Sequence, residues 1–174
     1  DLRFGDVMEV DFAESLDGTG WAMVSNLPYN VGTPVLLEAL QNAPGIERFV
    51  VMVQNEVARR LAASVGSDDY GLPSVVVGIH GVARLAFTVA PQVFYPPPRV
   101  ESAVVVIERG ETPTHSSRAV ELARAGFGQR RKMLRGSLSG ILTEPEATLE
   151  KAGISPTSRA EDLAAEDYLR LAAI

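Results

Sequence analysis

The stretch Val24-Ser25-Asn26-Leu27-Pro28-Tyr29-Asn30 brings a side-chain amide, a proline and an aromatic ring within four residues. It follows directly on an apolar, strand-like run, Trp21-Ala22-Met23-Val24. The chemistry that suits this set is holding a planar base by its exocyclic amine while a carbon is transferred to it. The nitrogen of an adenine amine is a poor nucleophile, because its lone pair is delocalised into the ring. To attack an electrophilic methyl group it must become more tetrahedral, and two acceptors placed around it favour that change. Asn26 can supply its side-chain oxygen and Leu27 its backbone carbonyl. Pro28 stiffens the turn, and Tyr29 offers a face for base stacking, worth ~1–3 kcal/mol per base. Such groups act by orientation and electrostatics, without a covalent intermediate, and need no metal. The bland alternative is a polar turn with Tyr29 half-buried. Placement at the C-terminal end of a strand, where α/β proteins bind ligands, favours the functional reading.

Other residues join this candidate set. Asp6 ends its own expected strand, Phe4-Gly5-Asp6-Val7, and could accept from the amine of a bound nucleoside; the alternative is a capping aspartate. Phe94 stands with Tyr95 before Pro96-Pro97-Pro98, a run that fits neither a helix nor a central strand and favours a stiff extended loop. Phe94 could be a second stacking wall, a core anchor for that loop, or both. Arg130, Arg131, Lys132 and Arg135 form the one local basic cluster and could hold phosphates, although charge runs are often only solvated faces. Gln54-Asn55-Glu56 with Arg59-Arg60 reads most simply as a capped helix with a charged outer face. Trp21 is expected in the core, and neither His80 nor His115 sits in a motif.

The elements that must position these residues alternate between strand and helix. Trp21–Ser25 reads as a short buried strand. Pro34–Asn42 reads as a helix with Thr33 as its N-cap. Glu47–Val53 is a β-branched strand, and Asn55–Val65 a helix closing near Gly66. Leu72–His80 is apolar and fits either a helix or a strand. Val82–Val89 and Ser102–Glu108 are strands. After a linker at Gly110–Ser116 the period becomes helical, with helices expected over Ser117–Gly126, Arg130–Leu138 (basic on one side), Pro145–Ala152 and Glu166–Leu171. This pattern predicts an α/β fold: the C-terminal half of a doubly wound, Rossmann-like sheet, followed by a small all-α domain.

Composition narrows the function classes. The 174 residues carry a net charge of −6 and no cysteine, which excludes disulfides and cysteine-based zinc sites. Residues 1–109 hold 13 acidic and 7 basic side chains, whereas 110–174 hold 9 of each. A surface broadly coated for nucleic acid is therefore not expected. No apolar run approaches the ~20 residues of a membrane span, and no membrane partner or metal is expected.

Taken together, the segments resemble the KsgA-type small-subunit rRNA adenine dimethyltransferases. The resemblance is carried by Gly5-Asp6, Asn26-Leu27-Pro28-Tyr29-Asn30 and Gln54-Asn55-Glu56-Val57-Ala58-Arg59-Arg60-Leu61. It continues through Tyr70-Gly71, Phe94-Tyr95-Pro96-Pro97-Pro98-Arg99-Val100-Glu101-Ser102-Ala103-Val104 and Gln129-Arg130-Arg131-Lys132, in family order. It implies S-adenosyl-L-methionine as methyl donor, and as target two adjacent adenosines near the 3′ end of small-subunit rRNA in pre-30S particles. Asp6 would contact the adenine of the cofactor, and Asn26 would lie between cofactor and substrate amine. Tyr29 and Phe94 would sandwich a target base turned out of its stack. Residues 110–174 would contact the ribosome, in a cytoplasmic protein. The family's first strands, its glycine-rich loop and its ribose-binding acidic residue are not found in this sequence. Residues 1–109 are therefore expected to be a partial methyltransferase domain, and weak cofactor binding and an inactive fragment are expected. Rival readings are an Erm-type large-subunit rRNA methyltransferase and a non-catalytic ribosome-assembly module. Leu27, the triple proline and Glu101-Ser102-Ala103 favour the small-subunit type.

Overall fold

The computed structural model describes residues 4–174. Short elements come first. Asp6 caps a 3-10 turn, Val7–Glu9, by accepting from the Met8 N–H at 2.9 Å, and Asp11 caps α1 (Phe12–Ser15). The expected strand end at Asp6 is thus a capped turn. Its carboxylate satisfies a local backbone donor that no neighbouring strand takes up.

Strand–helix alternation then proceeds through β1 (Trp21–Asn26), α2 (Gly32–Asn42), β2 (Ile46–Gln54), α3 (Asn55–Leu61), α4 (Leu72–His80), β3 (Gly81–Val89) and β4 (Ser102–Arg109). The sheet order is β1-β2-β4-β3, with β1 and β2 parallel and β4 antiparallel to both of its neighbours. Alternate residues of β2 and β4, Phe49, Val51 and Val53 with Ala103, Val105 and Ile107, are buried in one core with Val35, Leu36, Ala39 and Leu40 of α2. On the opposite face Val24, Val82 and Phe87 are exposed among the described residues.

Four further helices follow: α5 (Ser116–Gly128), α6 (Leu134–Ser137), α7 (Pro145–Lys151) and α8 (Ala165–Ala172). They share a second core with α4, in which Val75, Val76 and Ile79 meet Val120, Leu122, Leu149 and Leu171. Val77 of the same helix belongs to the sheet core. Leu72–His80 is therefore a helix buried between two layers, which explains why its apolar residues show no clean period. Two buried tyrosines tie this layer together. Tyr70 donates to the Leu163 carbonyl at 2.8 Å, and Tyr168 to the Ala160 carbonyl at 2.9 Å. Burial raises both hydroxyl pKa values, that of Tyr70 to about 12.

Several expectations are corrected. Trp21 is 44% exposed on β1, an edge strand among those described, and its indole N–H donates to the Asp17 carbonyl. Val24, in the same expected buried strand, is 76% exposed. Val31, not Thr33, precedes α2, because the Pro28–Gly32 turn already winds into the helix. The helix from Asn55 stops at Leu61, and Gly66 lies in the following turn with φ +86°. The expected helix Arg130–Leu138 is helical only over Leu134–Ser137. Met133 is extended, and the N–H groups of Leu134 and Arg135 donate to the carbonyls of Ser158 and Pro156. Tertiary partners have taken donors that a continuing helix would have used.

Arg109, the last residue of β4, caps α2 from a distance. Its Nε donates to the Ile46 carbonyl at 2.6 Å and its Nη1 to the Leu40 carbonyl at 2.9 Å. Its Nη2 donates to the carbonyls of Ala39 and Ala43 at 3.1 Å. These include last-turn carbonyls that a helix leaves unpaired, at the end where a cation is favoured. The guanidinium also lies 5.5 Å from the Phe49 ring centroid. Arg109→Ala should cost about 2–4 kcal/mol in urea unfolding, with Arg109→Lys recovering only part, because an ammonium cannot reproduce the fork.

His80 is 2% exposed, and its Nδ1 lies 2.9 Å from the Val76 carbonyl, so this nitrogen carries the proton. Burial lowers its pKa below the usual 6.5, the bond to Val76 opposes that, and the Arg109 charge lowers it further. Below about pH 6.5 the unfolded chain gains a proton that the folded chain refuses, so stability falls as pH drops through this window. Melting temperatures measured at about pH 7.5 and 5.5 should fall with acidification, and His80→Gln should reduce that fall.

Candidate active site

The strands bring their chemistry to one end of the sheet. β1 and β2 finish there at Asn26 and Gln54, β3 finishes there at Val89, and β4 begins there at Ser102. Ser102 lies in register between Gln54 and Val89.

Asn26 is exposed at the end of β1. Leu27 turns inward, is 4% exposed, and donates its N–H to the Met52 carbonyl at 3.1 Å. That bond extends the β1–β2 ladder by one residue and fixes the backbone carrying the amide. The chain then reverses, and the Pro28 carbonyl accepts from the Gly32 N–H at 2.7 Å. A Cβ at Gly32 would lie 2.8 Å from the Leu27 Cβ, so a side chain there would open the turn. Tyr29 is 40% exposed, and its hydroxyl lies 2.6 Å from the Ser102 hydroxyl, which is fully buried. The ring is thereby tied to the central strand pair.

The long connection from β3 to β4 supplies the other wall. After a 3-10 turn at Pro91–Val93, Phe94 is partly buried and Tyr95 fully exposed. Phe94, Tyr95, Pro96 and Pro98 join Asn26, Leu27, Pro28 and Tyr29 around an open cavity of about 410 Å³. The structure therefore gathers the expected amide, turn and aromatic pair into one site.

Asp6 does not line this cavity. One of its carboxylate oxygens is engaged in the Val7–Glu9 turn. The basic residues lie elsewhere, Arg130, Arg131 and Lys132 on the turn between α5 and α6 and Arg135 in α6. Arg130 pairs with Glu161 at 2.7 Å and Arg135 with Glu146 at 2.9 Å. Arg131 and Lys132 have no ion-pair partner among the described residues, and with Gln129 and Phe127 they line a shallow cavity of about 320 Å³. No group of three His, Asp or Glu side chains suited to a metal ion occurs among the described residues.

Sequence reasoning assigned no role to Ser102, nor to Tyr95, Pro96 and Pro98 as lining groups. A hydroxyl at the start of an otherwise Val/Ile-rich strand was the available signal, since a buried polar group must find a partner.

The sequence profile of the family described as ribosomal RNA adenine dimethylase matches residues 4–174. The chain belongs to the ribosomal RNA adenine dimethylase family. It is 48% identical over 170 residues to the ribosomal RNA small subunit methyltransferase A of Nocardia farcinica, covering 92% of this chain and 58% of that protein. It is 44% identical over 177 residues to the protein of that name from Mesorhizobium japonicum, covering 96% and 63% respectively. The chain thus spans about three fifths of the length of these curated relatives. A dimethyladenosine transferase from Plasmodium falciparum superposes with a TM-score of 0.76 at 21% identity, over 94% of this chain and 69% of that one. The 23S rRNA methyltransferase ErmE superposes with a TM-score of 0.63 at 23% identity, over 88% and 64%. These likenesses establish the fold, the Rossmann-like α/β arrangement of rRNA methyltransferases.

The Tyr29–Ser102 bond gives a direct test of how this cavity is held. Tyr29→Phe and Ser102→Ala should each cost about 1 kcal/mol in denaturant unfolding. The double variant should cost less than the sum, because the two hydroxyls serve one bond.

Proposed function

We propose that this segment forms the base-binding part of an S-adenosylmethionine-dependent enzyme that dimethylates N6 of two adjacent adenosines near the 3′ end of small-subunit rRNA. The observation that carries the reading is the cavity that places the Asn26 amide beside the Tyr29 and Phe94 rings at the strand ends.

In this reading an adenine is turned out of its stack and lies between Tyr29 and Phe94. The Asn26 side-chain oxygen and the Leu27 carbonyl accept from its two amine N–H groups. That draws the nitrogen out of the ring plane and frees its lone pair. S-adenosylmethionine, when bound, supplies the electrophilic methyl group. As the new N–C bond formed and the donor's methyl–sulfur bond broke, leaving a neutral thioether, the nitrogen would gain positive charge, which the Asn26 and Leu27 oxygens would stabilise until one proton passed to water through the open cavity. Pro28 and the Leu27–Met52 bond hold the acceptors in place beforehand. The Asp6 carboxylate has a second oxygen outside its capping bond and fits an adenine amine of the cofactor, while Asn26 fits a place at the boundary with the methyl group.

Residues 110–174 serve as the ribosome-contacting part, with Arg130, Arg131, Lys132 and Arg135 as its phosphate-facing group. Pre-30S particles are the substrate and the cytoplasm the site of action. No described helix is long and apolar enough to cross a membrane.

The test grafts this segment in place of the matching part of the Nocardia farcinica relative and measures methyl transfer to pre-30S particles. Asn26→Ala should lower the rate about 10²–10³-fold. Preference of the graft for naked large-subunit rRNA would overturn the substrate assignment.

A further inference from the structure

A second cavity lies beside the base cavity at the strand ends. Tyr29 lines the base cavity and also a narrow cleft that it shares with Gln54. Gln54 in turn lines the second cavity, of about 330 Å³, with Asn55, Glu56, Val100 and Glu101. The sheet register explains the adjacency. Gln54 pairs with Ser102, whose hydroxyl holds Tyr29.

The second cavity has a different chemistry. No aromatic side chain lines it, and its edge consists of two amides and two carboxylates. Asn55 is fixed there by its backbone N–H, which donates to the Glu101 carbonyl at 2.9 Å, and by its Nδ2, which donates to the Glu101 carboxylate at 3.2 Å. Glu56 is paired with Arg60 at 2.6 Å, whereas Glu101 has no ion-pair partner among the described residues. An ionised carboxylate accepts and does not donate, so this edge repels phosphate. It suits the exocyclic amine of a base, as Glu suits cytosine N4. The amides add both donors and acceptors for ring nitrogens and carbonyls, and Val100 adds apolar surface.

We infer that this second cavity takes the base next to the one held between Tyr29 and Phe94, and that Glu101 and Asn55 select a neighbour carrying an exocyclic amine over uracil. The inference rests on the reading of the first cavity as a base site. A dinucleotide step then spans the two cavities, with Tyr29 and Gln54 between its two bases. A target of two adjacent adenosines satisfies both cavities at once, with one adenine in the first and its amine-bearing neighbour in the second.

The test measures binding of dye-labelled single-stranded RNA tetranucleotides to this chain by fluorescence anisotropy at one fixed salt concentration. One adenine is flanked, on either side, by adenine, cytosine or uracil. Amine-bearing neighbours should bind about tenfold or more tighter than uracil. Glu101→Gln and Asn55→Ala should each bring that preference to within about twofold, and Tyr29→Ala should weaken every oligonucleotide. Circular dichroism melting of each variant identifies any that has lost its fold. Tyr29-dependent binding with no neighbour preference, or a preference that survives both substitutions, overturns this inference and leaves the first cavity standing. Binding indifferent to Tyr29→Ala overturns both.

Discussion

Strand β4 is paired on both sides, and its two ends fix the parts of the molecule that matter most. At the first residue the buried Ser102 hydroxyl bonds to Tyr29. At the last, Arg109 spreads its guanidinium over carbonyls at the end of α2 and at Ile46. The start of α2 is meanwhile set by the Pro28–Gly32 turn. The helix following the Asn26–Tyr29 loop is therefore held at both termini, and the loop itself is pinned to β2 and β4. Little freedom remains for the amide and the aromatic ring to drift relative to the sheet. Groups of this kind contribute through position, so their value depends on that restraint.

The walls of the cavity follow the same logic. Proline limits the backbone states of both loops in advance, so less entropy is lost when a ligand orders them. Under the proposed function, an exposed ring such as Tyr95 suits the mouth of a site open to a large substrate. A closed pocket would exclude a base still attached to its strand. The open cavity of about 410 Å³ gives room for a planar base without sealing the backbone inside.

Much of the sheet and the kernel of the site were legible in sequence, because their signals are local. β-branched runs announced β2 and β4, and Asn26-Leu27-Pro28-Tyr29 announced a rigid polar turn at a strand end. The failures share one cause, which is tertiary partners that leave little local trace. Trp21 looked like core, yet its strand lies at the edge and its indole finds Asp17. Arg130–Leu138 looked like one basic helix until the N–H groups of Leu134 and Arg135 were claimed by Ser158 and Pro156. Ser102 looked unremarkable because its role depends on Tyr29, 73 residues away in sequence. Leu72–His80 was ambiguous because burial on two sides erases the amphipathic period on which the reading depends.

The charge layout bears on how such a molecule handles RNA. Its net charge of −6 disfavours indiscriminate contact with a polyanion, and Glu56 and Glu101 add negative charge beside the base cavity. Under the proposed function, contacts beside these carboxylates would favour base edges over phosphate oxygens. The cations sit apart, on the turn that follows α5 and in α6, and two of them already pair with Glu161 and Glu146. Those pairs are exposed and therefore weak, at about 0–1 kcal/mol each, so a phosphate can compete for the same guanidinium groups. Affinity drawn from that turn falls with salt, whereas discrimination drawn from the strand ends depends on bonds to base edges. Under the proposed function, separating the two would let a weakly attracted chain remain selective, because the residues gripping the backbone would not be those choosing the base.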